Sequence, residues 1–275
     1  MRIYSVILRF IIDFLFNLFY HEQPKISLLI PFSSNDKMRQ KSFKWLLKYW
    51  KHELPDAEII VGKSNSDVFC KGEALNNAFK KSTGKVVVVL DSDAYISGQV
   101  INRCANRILE EIERGYPLWY VPYRHLYRLT KAASKLVLDS DPKHPYRFPN
   151  HPDDSYIENV GDANKYGHRY GAMCTIIPRE AIEKLGGFDE RFKGWGGEDI
   201  ALLRALDTLY GKHKTTKNSI FHIWHPVFGD SHKTRTWAKQ ENPGNNSALA
   251  NRYNKATGNP SEMRKLVDEG CKVKQ

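Results

Sequence analysis

The apolar positions of the chain follow two periods that alternate through its first hundred residues. Residues 26–32 (ISLLIPF) form a nearly continuous apolar run, with Ser27 its one polar member and a proline near its end, the pattern of a strand buried on both faces. Residues 38–50 then place Phe43, Leu46, Leu47 and Trp50 at helical spacing. Residues 57–61 (AEIIV) predict a second strand, and residues 73–81 a helix with Ala74, Leu75, Ala78 and Phe79 turned inward. Residues 85–90 (KVVVVL) are rich in β-branched side chains and predict a central strand; a helix follows over 98–113. Strand, helix, strand, helix, strand implies an α/β fold, a mostly parallel sheet flanked by helices. Ligands of such sheets sit at the carboxyl ends of the strands.

Periodicity then fades. Residues 123–170 are rich in Pro, His, Asp, Tyr and Arg, and read as a long irregular connection of the kind that forms lids or binding segments. Order returns with a strand over 173–177, followed by Pro178 at the start of a short helix. A further helix is expected over 198–210 and a last strand over 219–224. The end of the chain predicts one or two helices, separated by Gly258-Asn259-Pro260.

The first twenty residues are strongly apolar, but Arg2, Ser5, Arg9, Asp13 and Asn17 recur every three or four positions and would form one narrow polar stripe on a helix. Each charge at the centre of a spanning helix costs roughly 2.5–3.5 kcal/mol, and no small-residue cleavage site follows. The segment is therefore expected to lie in a membrane interface or to dock on the protein's own core. This divides the chain into an apolar helix (1–22), a catalytic domain (23–235) and a helical tail (236–275).

Composition adds two constraints. The formal net charge of +11 draws the surface towards polyanions: nucleic acid, an anionic membrane or phosphorylated substrates. The four cysteines are scattered without a Cys-Xaa-Xaa-Cys pair, which argues against a zinc ribbon or disulfide framework. They fit a reducing compartment, so the expected location is cytoplasmic, with peripheral membrane contact through residues 1–20.

Three clusters carry chemistry. Asp91-Ser92-Asp93 directly follows the KVVVVL strand, where two carboxylates can hold Mg²⁺ or Mn²⁺ against substrate phosphates. Gly194-Trp195-Gly196-Gly197-Glu198-Asp199 combines close backbone approach, a flat face for a sugar ring and two carboxylates opening a helix, one of which can deprotonate a hydroxyl. Phe221-His222-Ile223-Trp224-His225 ends the last strand and offers an imidazole to the same cation. Strand alternation puts His222 and His225 on opposite faces, with His225, nearer the end, as the preferred ligand and His222 as the second choice.

Together these residues resemble the GT-A fold glycosyltransferases, especially family 2 and its galactosyltransferase-like branch, over residues 26–226. The resemblance implies that Asp91 and Asp93 bind metal and donor diphosphate, and that His225 or His222 completes the metal site. It further implies that Trp195, Gly196, Gly197 and Glu198 face the sugars and that Asp199 is the base of an inverting transfer. Pro31 aligns with the segment that meets the nucleotide base, and Lys71 and Asn76 match a Lys/Arg…Ala-Leu-Asn stretch beside the donor. The Gln-Xaa-Xaa-Arg-Trp signature of processive synthases is not evident.

The expected activity is metal-dependent transfer of a sugar from a nucleotide-sugar donor, UDP-linked, to an acceptor hydroxyl. A glycan or glycoconjugate acceptor fits the apolar N-terminus. Phage-type DNA with hydroxymethylated bases is the alternative, supported by the charge and by basic stretches at 124–131, 212–217 and 233–239. A sugar-binding protein without activity is the non-enzymatic alternative, disfavoured by the intact acid and histidine set. A dinucleotide-binding oxidoreductase is disfavoured because no Gly-Xaa-Gly-Xaa-Xaa-Gly follows the first strand.

Overall fold

In a computed structural model of the protein, residues 25–34, 36–162, 173–194, 196–226 and 245–270 are described. The chain begins with β1 (Ile26–Pro31), α1 (Lys37–Glu53), β2 (Glu58–Gly62), α2 (Lys71–Phe79) and β3 (Val86–Leu90). It continues through β4 (Ala94–Tyr95), α3 (Gly98–Glu113), β5 (Tyr120–Val121), β6 (His125–Leu129), α4 (Lys131–Asp139) and β7 (Ile157–Asp162). The remainder comprises β8 (Cys174–Pro178), α5 (Arg179–Leu185), α6 (Glu198–Leu209), β9 (Lys214–Thr215), β10 (Ser219–His222), α7 (Asn246–Ala256) and α8 (Pro260–Gly270).

The main sheet has the order β2-β1-β3-β8-β5-β9. Strands β1, β2 and β3 run parallel, as do β5 and β9, whereas β8 runs antiparallel to both its neighbours. All five residues of β3 are buried, which is why a strand made of four valines and a leucine is stable only at the centre of the sheet. Helix α2 packs on β1 and β2, and α3 on β3 and β8, so both helices serve the same core.

A smaller second sheet, β4-β10-β6-β7, stands beside the first. It corrects the expectation of an irregular connection over 123–170, because β6, α4 and β7 all lie there. The elements are short, and β6 finds its parallel partner β10 some ninety residues later in the chain, so no local period announces it. Residues 140–156 carry no helix or strand. They are anchored by Tyr146, Phe148 and Tyr156, which pack together, with Phe148 stacked on Phe221 of β10.

The two C-terminal helices pack on α6 and on each other, burying Tyr253, Met263 and Val267. Among the described residues, Cys70, Cys104 and Cys174 are free and buried. The apolar segment read at 1–22, the basic stretch at 233–239 and Trp195 lie outside the described residues.

Candidate functional site

The carboxyl edge of the main sheet gathers the polar residues expected there. Leaving β3, the chain turns sharply: the Asp91 amide donates to Met173 O (2.9 Å) and the Ala94 amide to Asp91 O (3.3 Å). This turn sends Asp91 and Asp93 to different neighbours.

Asp91 faces Lys71, the first residue of α2. The Lys71 Nζ lies 2.6 Å from Asp91 Oδ1, 2.6 Å from Asp199 Oδ1 and 3.6 Å from Glu198 Oε1. Lys71 is buried, and α2 reaches this position because Gly72 lies against the Asp189 backbone, where an added Cβ would stand 2.4 Å from the Asp189 carbonyl oxygen. Burial opposes its charge, but Asp199, Asp91 and Glu198 outweigh that, and the Lys71 pKa rises well above its ordinary value. Three carboxylates share this one ammonium. Burial pushes the Asp199 pKa up to about 8: Lys71 opposes the rise, and the charges of Glu198 and Asp91 add to it. Burial likewise raises the Asp91 pKa, against Lys71 and with help from Asp93 and Glu198. Glu198 Oε2 is buried with no hydrogen-bond partner, an acceptor left open at the site.

Asp93 faces the opposite way. His225 Nε2 is 3.2 Å from its Oδ2, His222 Nε2 is 3.5 Å from its Oδ1, and the Arg39 guanidinium is 3.3 Å from Oδ2. Despite burial, His222, His225 and Arg39 hold the Asp93 pKa well below the usual carboxylate range. Ligand atoms of Asp93, His222 and His225 all lie within 4.8 Å of one another. The expected split of the two histidines onto opposite faces is corrected here. Strand β10 ends at His222, the Ile223 amide donates to Asp93 O (2.7 Å), and the Trp224 amide donates to Ser134 Oγ (2.7 Å). Alternation stops where the ladder stops, and the turn brings both rings to Asp93, 5.1 Å apart between centroids. His225 Nδ1 donates to Pro226 O (3.0 Å), which leaves Nε2 as the atom facing Asp93.

The glycine-rich loop leads into the first cluster. Gly194, Gly196 and Gly197 all have positive φ, and Gly197, at +94°, is the N-cap of α6. A side chain at that position would be strained and would press on Phe192 and Ala250. Glu198 and Asp199 therefore occupy the first turn of α6, where unpaired amides favour carboxylates. Two buried asparagines clamp the approach to this loop. Asn76 accepts from Phe188 N (2.8 Å) and donates to Phe188 O (2.9 Å) and Glu190 Oε1 (2.7 Å). Asn246 accepts from Lys193 N (3.2 Å) and donates to Lys193 O (3.0 Å).

Of the residues singled out in the sequence, Lys71, Asp91, Glu198 and Asp199 thus form one cluster, and Asp93, His222 and His225 the other. Asn76 has its amide committed to the loop backbone, and Pro31 is buried at the end of β1. Gly196 and Gly197 supply the turn into α6. Sequence reasoning missed Arg39 and Asn246. Arg39 had a signal, since it opens the helix that leaves the carboxyl end of β1. Asn246 had none, because its partner is a backbone more than fifty residues away.

Comparison with known proteins places this geometry. Residues 36–155 match glycosyl transferase family 2, and residues 157–225 match the N-terminal domain of galactosyltransferase. The chain is a family 2-like, galactosyltransferase-like glycosyltransferase. Its fold is accordingly of the GT-A kind. This glycosyltransferase is 24% identical over 232 residues to mouse (Mus musculus) chondroitin sulfate synthase 3, covering 82% of the chain and 24% of the relative. It is 28% identical over 167 residues to human (Homo sapiens) chondroitin sulfate N-acetylgalactosaminyltransferase 2, covering 59% of the chain and 28% of the relative. The chain thus spans about a quarter of the length of these curated relatives. Among solved structures, GalNAc-T7 with UDP, GalNAc and Mn²⁺ is 14% identical, with 91% of this chain and 55% of that chain covered at a TM-score of 0.49.

Proposed function

We propose that this glycosyltransferase moves a sugar from a UDP-linked donor to a hydroxyl of a glycan acceptor, with inversion at the anomeric carbon and with a divalent cation as cofactor. The observation that carries this reading is the pairing, at one sheet edge, of a buried carboxylate cluster with a separate carboxylate–imidazole set. The names of the two curated relatives given above, both for chondroitin sulfate, support a carbohydrate acceptor.

Asp93, His222 and His225 fit a divalent cation. With a neutral imidazole, the His225 Nε2 lone pair would point at a carboxylate oxygen 3.2 Å away, an arrangement that a cation between them relieves. Two nitrogens and one carboxylate favour Mn²⁺ over Mg²⁺, which prefers an all-oxygen shell. When bound, such an ion stabilises negative charge on a departing diphosphate.

The chain's own residues do the rest. Asp199, its proton affinity raised by burial, takes the proton of the attacking hydroxyl as the new C–O bond forms and the bond to the diphosphate oxygen breaks. The bonding electrons leave with the nucleoside diphosphate. Lys71 fixes the Asp199 carboxylate and offsets part of the repulsion among the three acids. Glu198 Oε2 is free to accept a hydrogen bond from a sugar hydroxyl. Asn76 and Asn246 hold the loop that carries these acids.

The test is UDP release and product formation from UDP-hexoses and UDP-N-acetylhexosamines, with chondroitin-type oligosaccharides as acceptors, in Mn²⁺ or chelator. Mn²⁺-dependent product of inverted anomeric configuration is expected. A product of retained configuration would remove the base role from Asp199.

A further inference from the structure

Strand β8 reads Cys-Thr-Ile-Ile-Pro and is buried throughout, so Thr175 stands where the core of the sheet favours a valine. The two side chains have nearly the same shape, but a threonine hydroxyl costs stability in a core unless it is hydrogen-bonded. Thr175 is fully buried, and its Oγ1 has no hydrogen-bond partner among the described residues. Glu198 Oε2, the open acceptor of the acid cluster, is in the same condition. Both residues line one cavity of about 30 Å³, which β3, β8, α6 and the start of α2 help to enclose.

The sequence accounts for the space. Ala201 and Ala205, one turn apart on α6, line the cavity together with Val89 and Thr175, which are paired across β3 and β8. Short side chains on the helix leave the gap open. Asp189 and Tyr253 are also on its wall, but they are already committed. Tyr253 OH donates to Asp189 Oδ2 (2.8 Å), and the Arg191 guanidinium holds both oxygens of that carboxylate. Asp199, the remaining acid on the wall, gives its Oδ1 to Lys71. A water molecule needs roughly 10–15 Å³ of such space and about two to four polar partners. This cavity has the space, a hydroxyl at Thr175 and a carboxylate oxygen at Glu198.

We propose that the cavity is a water site, in which a buried water joins Thr175 Oγ1 to Glu198 Oε2 and makes Thr175 a positioning residue for the acid cluster. The water accepts from the Thr175 hydroxyl and donates to the Glu198 carboxylate. It thereby satisfies two buried groups that do not reach each other directly. A carboxylate oxygen accepts more than one hydrogen bond, so Glu198 stays available to a sugar hydroxyl on its outer side. The water also brings polarity to the wall of the cavity that Asp199 shares, where burial is the largest cause of that acid's raised pKa. This last consequence rests on the proposed transfer, whereas the water site itself does not.

The experiment compares Thr175→Val with Thr175→Ser in the full chain, by thermal unfolding and by a pH–rate series. Valine keeps the shape and the strand preference and removes only the hydroxyl. With the water left short of a partner, Tm of Thr175→Val should fall by roughly 2–4 °C. The apparent pKa near 8 in kcat/KM should rise by on the order of one unit, because Asp199 then faces a drier wall. Thr175→Ser gives up a methyl group and some Tm, but it keeps the hydroxyl and should keep the pH–rate limb of the parent. A valine variant as stable as the parent, or more stable, would overturn the water site, since removing a dry, unpaired hydroxyl relieves the core. A valine variant that loses stability but titrates as the parent does would overturn the positioning role. The unfolding comparison decides the water site even for a parent that transfers no sugar, so the two readings fail separately.

Discussion

Asp91 and Asp93 leave the same strand two residues apart, yet their surroundings are opposites. Asp91 belongs to a cluster in which three carboxylates share one buried lysine, and burial pushes the Asp91 and Asp199 pKa values upward. Asp93 belongs to a cluster with nitrogen atoms turned towards it, and its carboxyl is held fully ionised. The first arrangement suits moving a proton and the second suits holding a cation. The tight turn between the two aspartates sends them to different neighbours and, on the function proposed above, to different tasks.

Substitutions can break this division, and the largest effect is expected at the base. Asp199→Asn should lower kcat by about 10²–10⁴-fold while leaving Mn²⁺ affinity unchanged. In the parent enzyme the proton-accepting form is the ionised one, so kcat/KM should rise with pH up to an apparent pKa near 8. The residual rate of the Asn variant should lack that limb, a comparison that a pH–rate series makes directly.

Lys71→Met should follow. It leaves Asp91, Glu198 and Asp199 without their ammonium, and breaking a buried pair in this way typically costs about 3–5 kcal/mol. Because lower pH protonates the stranded acids, the deficit in Tm should be greatest near pH 8 and shrink towards pH 5. A deficit that grew on acidification would contradict the sharing of one ammonium by these acids.

Asp93→Ala acts on the other side. Loss of more than about 100-fold in Mn²⁺ affinity is expected, beyond what loss of an outer-shell partner costs. Calorimetric titration of the variant measures it; some loss of stability should accompany it, because the buried Asp93 carboxylate is held ionised by His222, His225 and Arg39.

The smallest effect sharpens the separation of the clusters. Asn246→Ala removes two hydrogen bonds to the Lys193 backbone and leaves buried groups unpaired, a cost of about 1–3 kcal/mol. Chemical denaturation reads that cost. The accompanying fall in kcat should exceed any change in Mn²⁺ affinity, because Lys193 leads into Glu198 and Asp199 and not into Asp93.

The regular part of the fold was legible because its period is local. KVVVVL, the helices on either side and the acids that follow are read within windows of ten to fifteen residues, and α3 was bounded correctly at 98–113. The second sheet was not legible, since β6 and β10 specify each other across the intervening chain. The site divides along the same line. Asp91, Asp93, Glu198, Asp199 and the two histidines announce themselves through motif and position. That Lys71 would sit 2.6 Å from two of those acids follows only from the packing of α2 against the Asp189 backbone, which Gly72 permits. The placing of both histidines on one side depends on where the ladder of β10 ends, a matter of the two hydrogen bonds that the Ile223 and Trp224 amides donate and not of periodicity.

The most direct measurement is Mn²⁺ binding, followed by electron paramagnetic resonance, in His222→Ala, His225→Ala and Asp199→Asn variants of the full chain. The division of labour predicts that each histidine variant loses affinity and that Asp199→Asn binds Mn²⁺ as the parent does. Unaltered binding in both histidine variants, or loss of binding in Asp199→Asn, would contradict it.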